Sequence, residues 1–321
     1  MPKKAFVTGI SGFTGSHMSE LLLAKGFTVA GIAQSSRRLI NIKHLKNKLS
    51  FFECKLSNEK KLKKIIENFS PNYVFHFASP IIRSQSMNIN SLKINLQTDL
   101  FETMNLLDII SALKNKPVVL ITGSNAEYQI SNKNPITEDC LLYPQSSYGL
   151  SKLTQEFASF NFAKSHSLPL VYTRTFHLIG PRQTPDFVVS DFARQIAQIE
   201  LGQRKPQLFI GNSLVKRDFT DVRDAVRAYW LAISKGKSYQ IFNICSGKSV
   251  SIKKIIKLLQ TYSKSKIKII KQKIRFRNGD PLEIVGNNKK IRNLGWQPRY
   301  SIEESLKDTL NYWRNLLNTS R

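Results

Sequence analysis

Three glycines in the first fifteen residues constrain this chain more than any other feature. An apolar, strand-like run from Ala5 to Thr8 leads into Gly9-Ile10-Ser11-Gly12-Phe13-Thr14-Gly15, and a helical pattern follows from Ser16 to Ala24. Glycine at every third position between a buried strand and a helix lets backbone N–H groups approach a pyrophosphate over the positive helix N-terminus. The spacing is not G-x-G-x-x-G, and a plain tight turn also needs glycine. Its place at the first strand-to-helix crossing is what makes it informative. The expected phosphate-binding residues are Gly9, Ser11, Gly12, Phe13, Thr14 and Gly15.

Strand-like and helix-like runs then alternate for about 175 residues. Strands are expected at Thr28 to Ala33, Leu49 to Glu53, Tyr73 to Phe77, Val118 to Thr122 and Leu170 to Thr175. Helices are expected at Glu59 to Phe69, along one segment from Leu92 to Leu113, and around Tyr148. Such alternation predicts an α/β protein with a doubly wound parallel sheet. Thr220 to Ser234 reads as a helix and Gln240 to Cys245 as a strand, so the chain is expected to return to the first unit. The larger domain is placed at 1–178 plus 216–246. A smaller C-terminal α/β substrate domain is placed at 179–215 plus 247–321.

The second strand ends in Gln34-Ser35-Ser36-Arg37-Arg38. A site for NAD usually places a carboxylate there to hold both ribose hydroxyls, and none is present. Ser35, Arg37 and Arg38 suit a 2′-phosphate, so NADPH is the expected cofactor, with NADH possible; an ordinary basic loop would look the same. Farther on, Tyr148 and Lys152 lie one helical turn apart on one face. A free phenol ionises near pH ~10. An ammonium beside it favours the phenolate and lets the pair move a proton to or from an alcohol or ketone near neutral pH. A short Tyr-x-x-x-Lys match alone is common; the glycine turn upstream raises its weight.

The balance of 49 Lys+Arg against 22 Asp+Glu points either to a polyanion partner or to lysines spread over solvated helix faces. Lys60, Lys61, Lys63 and Lys64, and Lys253, Lys254 and Lys257, share their helices with apolar residues at helical spacing. The solvated-face reading is therefore preferred and nucleic acid is not the expected partner. No apolar run approaches the ~18 residues of a membrane helix. The start leaves no room for the apolar core of a signal peptide. Cys54, Cys140 and Cys245 are far apart, form no metal spacing and fit a reducing cytoplasm.

Taken together, Gly9, Gly12, Gly15, the strand-end Ser124, Tyr148 and Lys152 resemble the extended short-chain dehydrogenase/reductases that modify nucleotide sugars. The second half, with Arg174-Thr175-Phe176-His177, Gly180-Pro181-Arg182, Arg217-Asp218-Phe219 and Gly295-Trp296, is most similar to GDP-4-keto-6-deoxy-mannose reductases, close relatives of GDP-mannose 4,6-dehydratase. That resemblance implies a Rossmann-type fold and Ser124, Tyr148 and Lys152 as catalytic residues. Leu56, Phe77, Ala78, Tyr148 and Lys152 would add cofactor contacts. A GDP-sugar would meet Ser124, Asn125, His177, Phe187, Val188, Arg217, Arg277 and Asp280. Phe187 and Val188 have core packing as their bland reading, and Arg217 a structural ion pair with Asp218 or Asp221. Helices bearing Asp99 and Tyr148 would form a homodimer interface.

Departures from that family pattern are equally specific. Ala126 stands where the dehydratases keep a glutamate, which points to reduction without dehydration; a register slip would substitute Glu127. His177 replaces an asparagine and Lys55 an acid. Asp99 to Thr103 replaces an asparagine-x-x-glycine-threonine run, and Gln129 replaces a glycine. A nucleotide-sugar epimerase or dehydratase of the same fold, or a non-catalytic nucleotide- or RNA-binding relative, is the alternative reading.

Overall fold

The computed structural model describes residues 2–34, 36–79, 87–129, 134–272, 274 and 281–319, with the side chains of 36–38 not described. Six strands open the chain: β1 (Lys4–Thr8), β2 (Thr28–Ala33), β3 (Ser50–Glu53), β4 (Tyr73–His76), β5 (Val118–Ser124) and β6 (Leu170–Thr175). Then come β7 (His177–Ile179), β8 (Gln207–Ile210), β9 (Lys216–Asp221), β10 (Ile241–Ile244), β11 (Ser249–Ser251), β12 (Lys268–Lys271) and β13 (Glu283–Ile284). The helices are α1 (Phe13–Ala24), α2 (Glu59–Phe69), α3 (Ile89–Leu96), α4 (Glu102–Ser111), α5 (Ser147–Ser165), α6 (Val188–Glu200), α7 (Val222–Lys235), α8 (Ile252–Tyr262), α9 (Lys289–Arg292) and α10 (Ile302–Asn318).

Seven strands form one parallel sheet in the order β10-β6-β5-β4-β1-β2-β3. Its strands are apolar on both faces because both faces are covered. Successive residues point to opposite sides. Ala5 and Val7 thus join one core, with Met18 and Leu22 of α1 and Ala225 and Tyr229 of α7. Phe6 joins the other, with Leu62 and Ile66 of α2, Leu106 of α4 and Ala163 of α5. This is the doubly wound, Rossmann-type architecture that the alternation predicts.

A second body builds its own core from α6, α8 and α10 against Leu208, Ile210 and Phe219. It holds a sheet of β11-β9-β13 with β7 on β9, and the pair β12-β8. Three expectations need correction. Strand Lys216–Asp221, assigned to the larger domain, pairs in this smaller sheet, and the helix expected from Thr220 begins only at Val222, where the Asp221 side chain caps the Arg223 N–H. The segment from Leu92 to Leu113 is not one continuous α-helix either. A π-helical turn, Gln97–Phe101, separates α3 from α4.

Candidate active site

Helix α1 starts at Phe13 with Gly12 as its N-cap, and no side chain caps it. Its first-turn N–H groups therefore face outward as an anion site. The turn before it depends on glycine: Gly9 has φ +67°, and a Cβ on Gly15 would lie 2.2 Å from the Gly9 carbonyl oxygen. The Ala78 backbone closes under this turn, with its N–H donating to Thr8 Oγ1 at 3.2 Å. Gly9, Ser11, Gly12, Phe13, Thr14, Gly15, Phe77 and Ala78 are thus gathered at the C-terminal ends of β1 and β4, and the bare cradle fits a dinucleotide pyrophosphate. Leu56 is buried after β3. Ser35 and the side chains of Arg37 and Arg38 lie outside the described residues, so the 2′-phosphate reading is carried by sequence alone.

Ser124 closes β5. Its hydroxyl accepts the Ala126 N–H at 3.2 Å, leaving its own proton to donate. Ser146 caps α5 by accepting the Gly149 N–H at 3.0 Å. The helix rests directly on the turn after β5, since a Cβ on Gly149 would fall 2.2 Å from the Ala126 carbonyl oxygen. That contact fixes the start of α5, with half-buried Tyr148 as its second residue, against the turn that follows Ser124.

Lys152 is 2% exposed. Its ammonium donates to Asp99 Oδ1 at 2.9 Å, to Gln155 Oε1 at 3.1 Å and to the Thr122 carbonyl at 3.3 Å. Gln155 continues a buried polar chain. Its amide donates to Thr103 Oγ1 at 2.8 Å, and His76 bridges Thr103 at 2.9 Å to Thr8 at 2.8 Å. Burial and the nearby Lys152 push His76 down to about 3, so its ring is neutral. The sequence flags Asp99 as a departure and as a marker of the dimer helix, not as a partner of Lys152, and gives no sign of Gln155, although Gln155 lies on the face of α5 that Lys152 occupies.

Glu127 is fully buried. One carboxyl oxygen accepts the Ser124 N–H at 2.6 Å, and the other lies 3.5 Å from Arg174 Nε. Arg174 is itself held by Glu156 at 2.6 and 2.8 Å. Burial first, and then the adjacent Glu156, push the Glu127 carboxyl well above its usual range. Glu127 therefore buttresses the turn from within the core.

Substrate-side residues are spread wider. His177 stands on β7 with its ring edge-on to Phe219, centroids 6.0 Å apart. Phe187 precedes α6, and Val188 is 38% exposed while Val189 and Phe192 enter the core. The bland core reading therefore fails for Val188. Arg217 is buried, and its guanidinium donates to the carbonyls of Lys216 at 2.7 Å and Pro281 at 2.9 Å. Asp218 instead accepts the N–H groups of Ser246, Gly247 and Gly286. Arg277 and Asp280 lie outside the described residues, directly before Pro281. Among the described residues, no group of His, Cys, Asp and Glu could hold a metal ion, and no helix is long and apolar enough to cross a membrane.

A glycine-turn dinucleotide fold with a Tyr-x-x-x-Lys helix beside a strand-end serine defines an extended short-chain dehydrogenase/reductase, a class of NAD(P)-dependent nucleotide-sugar enzymes. The particular family follows from residues 6–309, which match GDP-mannose 4,6 dehydratase, and the chain belongs to that family. It is 28% identical to GDP-6-deoxy-D-mannose reductase of Pseudomonas aeruginosa, covering 98% of each chain. It is also 28% identical to UDP-glucuronate 4-epimerase of Thermodesulfobacterium geofontis, over 95% of this chain and 94% of that protein. Among solved structures, RMD from Pseudomonas aeruginosa complexed with NADPH superposes with a TM-score of 0.85 at 27% identity, covering 98% and 99% of the two chains. UDP-glucose 4-epimerase from Thermotoga maritima with UDP-glucose gives 0.86 at 26% identity, with the same coverage.

Proposed function

We propose that this chain is an NADPH-dependent reductase of the 4-keto group of a GDP-linked 4-keto-6-deoxy sugar. The observation that carries the reading is the turn after β5. Ser124 and the start of α5 are in place there, the dehydratase glutamate position is Ala126, and the adjacent Glu127 is withdrawn into a buried cluster. A site without that base keeps proton donation and loses water elimination. Near-full-length similarity to the Pseudomonas reductase supports the same choice.

When bound, NADPH supplies the hydride to the carbonyl carbon, so one ketone, one NADPH and one proton give one alcohol and one NADP+. Tyr148 gives its phenolic proton to the carbonyl oxygen as the C=O π electrons move onto it, and regains a proton from water. Ser124 donates a hydrogen bond to the same oxygen and fixes its direction. Lys152, one helical turn from Tyr148, would hold the nicotinamide ribose by exchanging one of its three present acceptors, Asp99, Gln155 or the Thr122 carbonyl. Phe187, Val188, His177 and Arg217 would meet the sugar nucleotide, and the sequence resemblance alone assigns Arg277 and Asp280 to its diphosphate and ribose. The enzyme works as a cytoplasmic homodimer through the α3–α5 face, where Ile94 and Phe157 are exposed on helices packed together and Phe101 is exposed on the adjoining π-helical turn.

Incubation with NADPH and GDP-4-keto-6-deoxy-mannose tests this. The expected result is loss of NADPH in a one-to-one ratio with a new alcohol. Interconversion of nucleotide-sugar isomers without net NADPH loss would replace the reading with an epimerase, a reaction carried out by two of the similar proteins.

A further inference from the structure

Asp99 is fully buried, yet it is a carboxylate in the middle of a helical segment. The π-helical turn Gln97–Phe101 carries it. Such turns insert one residue and re-aim a side chain, frequently at a functional site. Here the side chain meets three donors. Lys152 Nζ and Ser79 Oγ lie 2.9 and 3.0 Å from Oδ1, and Ser151 Oγ lies 2.8 Å from Oδ2. The other two acceptors of Lys152, Gln155 and the Thr122 carbonyl, are uncharged.

We propose that Asp99 is a positioning residue that cancels the charge of Lys152, keeps Tyr148 in its proton-bearing form, and so biases the site toward ketone reduction over alcohol oxidation. The direction of that bias rests on the reductase reading; the charge cancellation does not. A neutral residue at position 99 would leave the ammonium uncompensated in a buried site, and a lone cation beside a phenol favours the phenolate. A phenolate is a base, suited to taking the proton of a substrate alcohol. A phenol is the donor that reduction needs.

The surrounding charges leave this role to Asp99. His76 on β4 is neutral at working pH, held down to about 3 by burial and then by Lys152. Glu102 on α4 is pushed upward by burial, with Lys55 opposing and Asp99 reinforcing the shift. On the far side, Glu127 and Glu156 are committed to Arg174. Burial keeps Tyr172 of β6 and Tyr229 of α7 as phenols.

Asp99→Asn removes the charge and keeps the shape. The asparagine oxygen can still accept from Lys152, and Ser151 can turn its proton to the Tyr148 carbonyl, 2.9 Å away. The test is titration of Tyr148 by NMR in ligand-free protein labelled with [13Cζ]-tyrosine, the signal assigned by its loss in Tyr148→Phe. In Asp99→Asn the Tyr148 transition is expected about one pH unit or more lower than in the parent. Ser79→Ala and Ser151→Ala, which break the same hydrogen bonds without removing charge, should leave it in place. The high-pH limb of NADPH-dependent reduction should move down by the same amount. An unmoved or upward-moved transition in Asp99→Asn, or an equal shift in either serine variant, overturns the proposal. A downward shift in a protein that reduces no ketosugar would sustain the charge role and defeat the reductase reading alone.

Discussion

At residue 127 a carboxyl sits without solvent between the Ser124 N–H, Arg174 and Glu156. Its folded-state value lies well above the ordinary 4.5, so the native protein binds a proton that the unfolded chain releases near pH 4.5. The stabilisation from this group is therefore complete below about pH 4.5 and is lost as pH rises toward the folded value, at about 1.4 kcal/mol per unit of separation. Gln is the neutral isostere of the protonated acid. Glu127→Gln is expected to match the parent near pH 5 and to melt at a higher temperature than the parent near pH 8. A melting-temperature difference that stays flat between these pH values would mean that Glu127 is ionised in the fold. At the proposed proton donor, Tyr148→Phe should abolish turnover while dinucleotide binding persists. Unchanged turnover would remove Tyr148 from the reaction.

Among the elements, α5 does most to assemble the site, and it does so through a glycine. In an exposed helix, Gly→Ala usually gains about 1 kcal/mol. At Gly149 the added carbon would lie 2.2 Å from the Ala126 carbonyl oxygen, a backbone atom that cannot turn aside. Helix and turn must separate, at a cost of about 1–3 kcal/mol, and Tyr148 moves relative to Ser124. Gly149→Ala is expected to lower kcat about tenfold or more with dinucleotide affinity little changed, because the cradle on α1 is untouched. Equal loss of both would show that the fold rather than the alignment had failed. The same elements show what could be read in advance. Strands β1 to β6 were legible because residues such as Val119, Leu120 and Ile121 must fill two cores alternately. The π-helical turn was not. One inserted residue leaves the apolar pattern of Leu96, Leu100 and Leu106 nearly intact, and an aspartate in a helix reads as a solvent-facing residue. Asp99 becomes a buried ion-pair partner only when α5 brings Lys152 to it. Strand β9 was misassigned for a related reason: Asp221 looks like part of a helix, and its capping bond to Arg223 marks the end of a strand.

Over the whole molecule, burial sharpens the charge imbalance. Among the described residues, eight acids are buried: Asp99, Glu102, Glu127, Glu156, Asp191, Asp218, Asp221 and Asp224. Among the described basic residues, only Lys152, Arg174 and Arg217 are buried. The surface left to solvent is thus more basic than the formal +27 of the sequence implies. Its lysines are dispersed: Lys60, Lys61, Lys63 and Lys64 are exposed on α2, while Leu62, Ile65 and Ile66 of that helix face the core. A dispersed positive field raises the encounter rate of a small polyanion without building a specific seat for a long one. A nucleoside diphosphate sugar is such an ion, and the field acts beyond contact only over the ~8–10 Å Debye length of ordinary buffers. Added monovalent salt should therefore lower kcat/KM several-fold by raising KM, and leave kcat nearly constant, because screening acts on the encounter and not on the bound complex. Steady-state kinetics across a salt series decides the matter. A flat kcat/KM would assign the charge no part in catalysis, and a tight, salt-sensitive RNA complex with measured Kd would return it to the nucleic-acid reading.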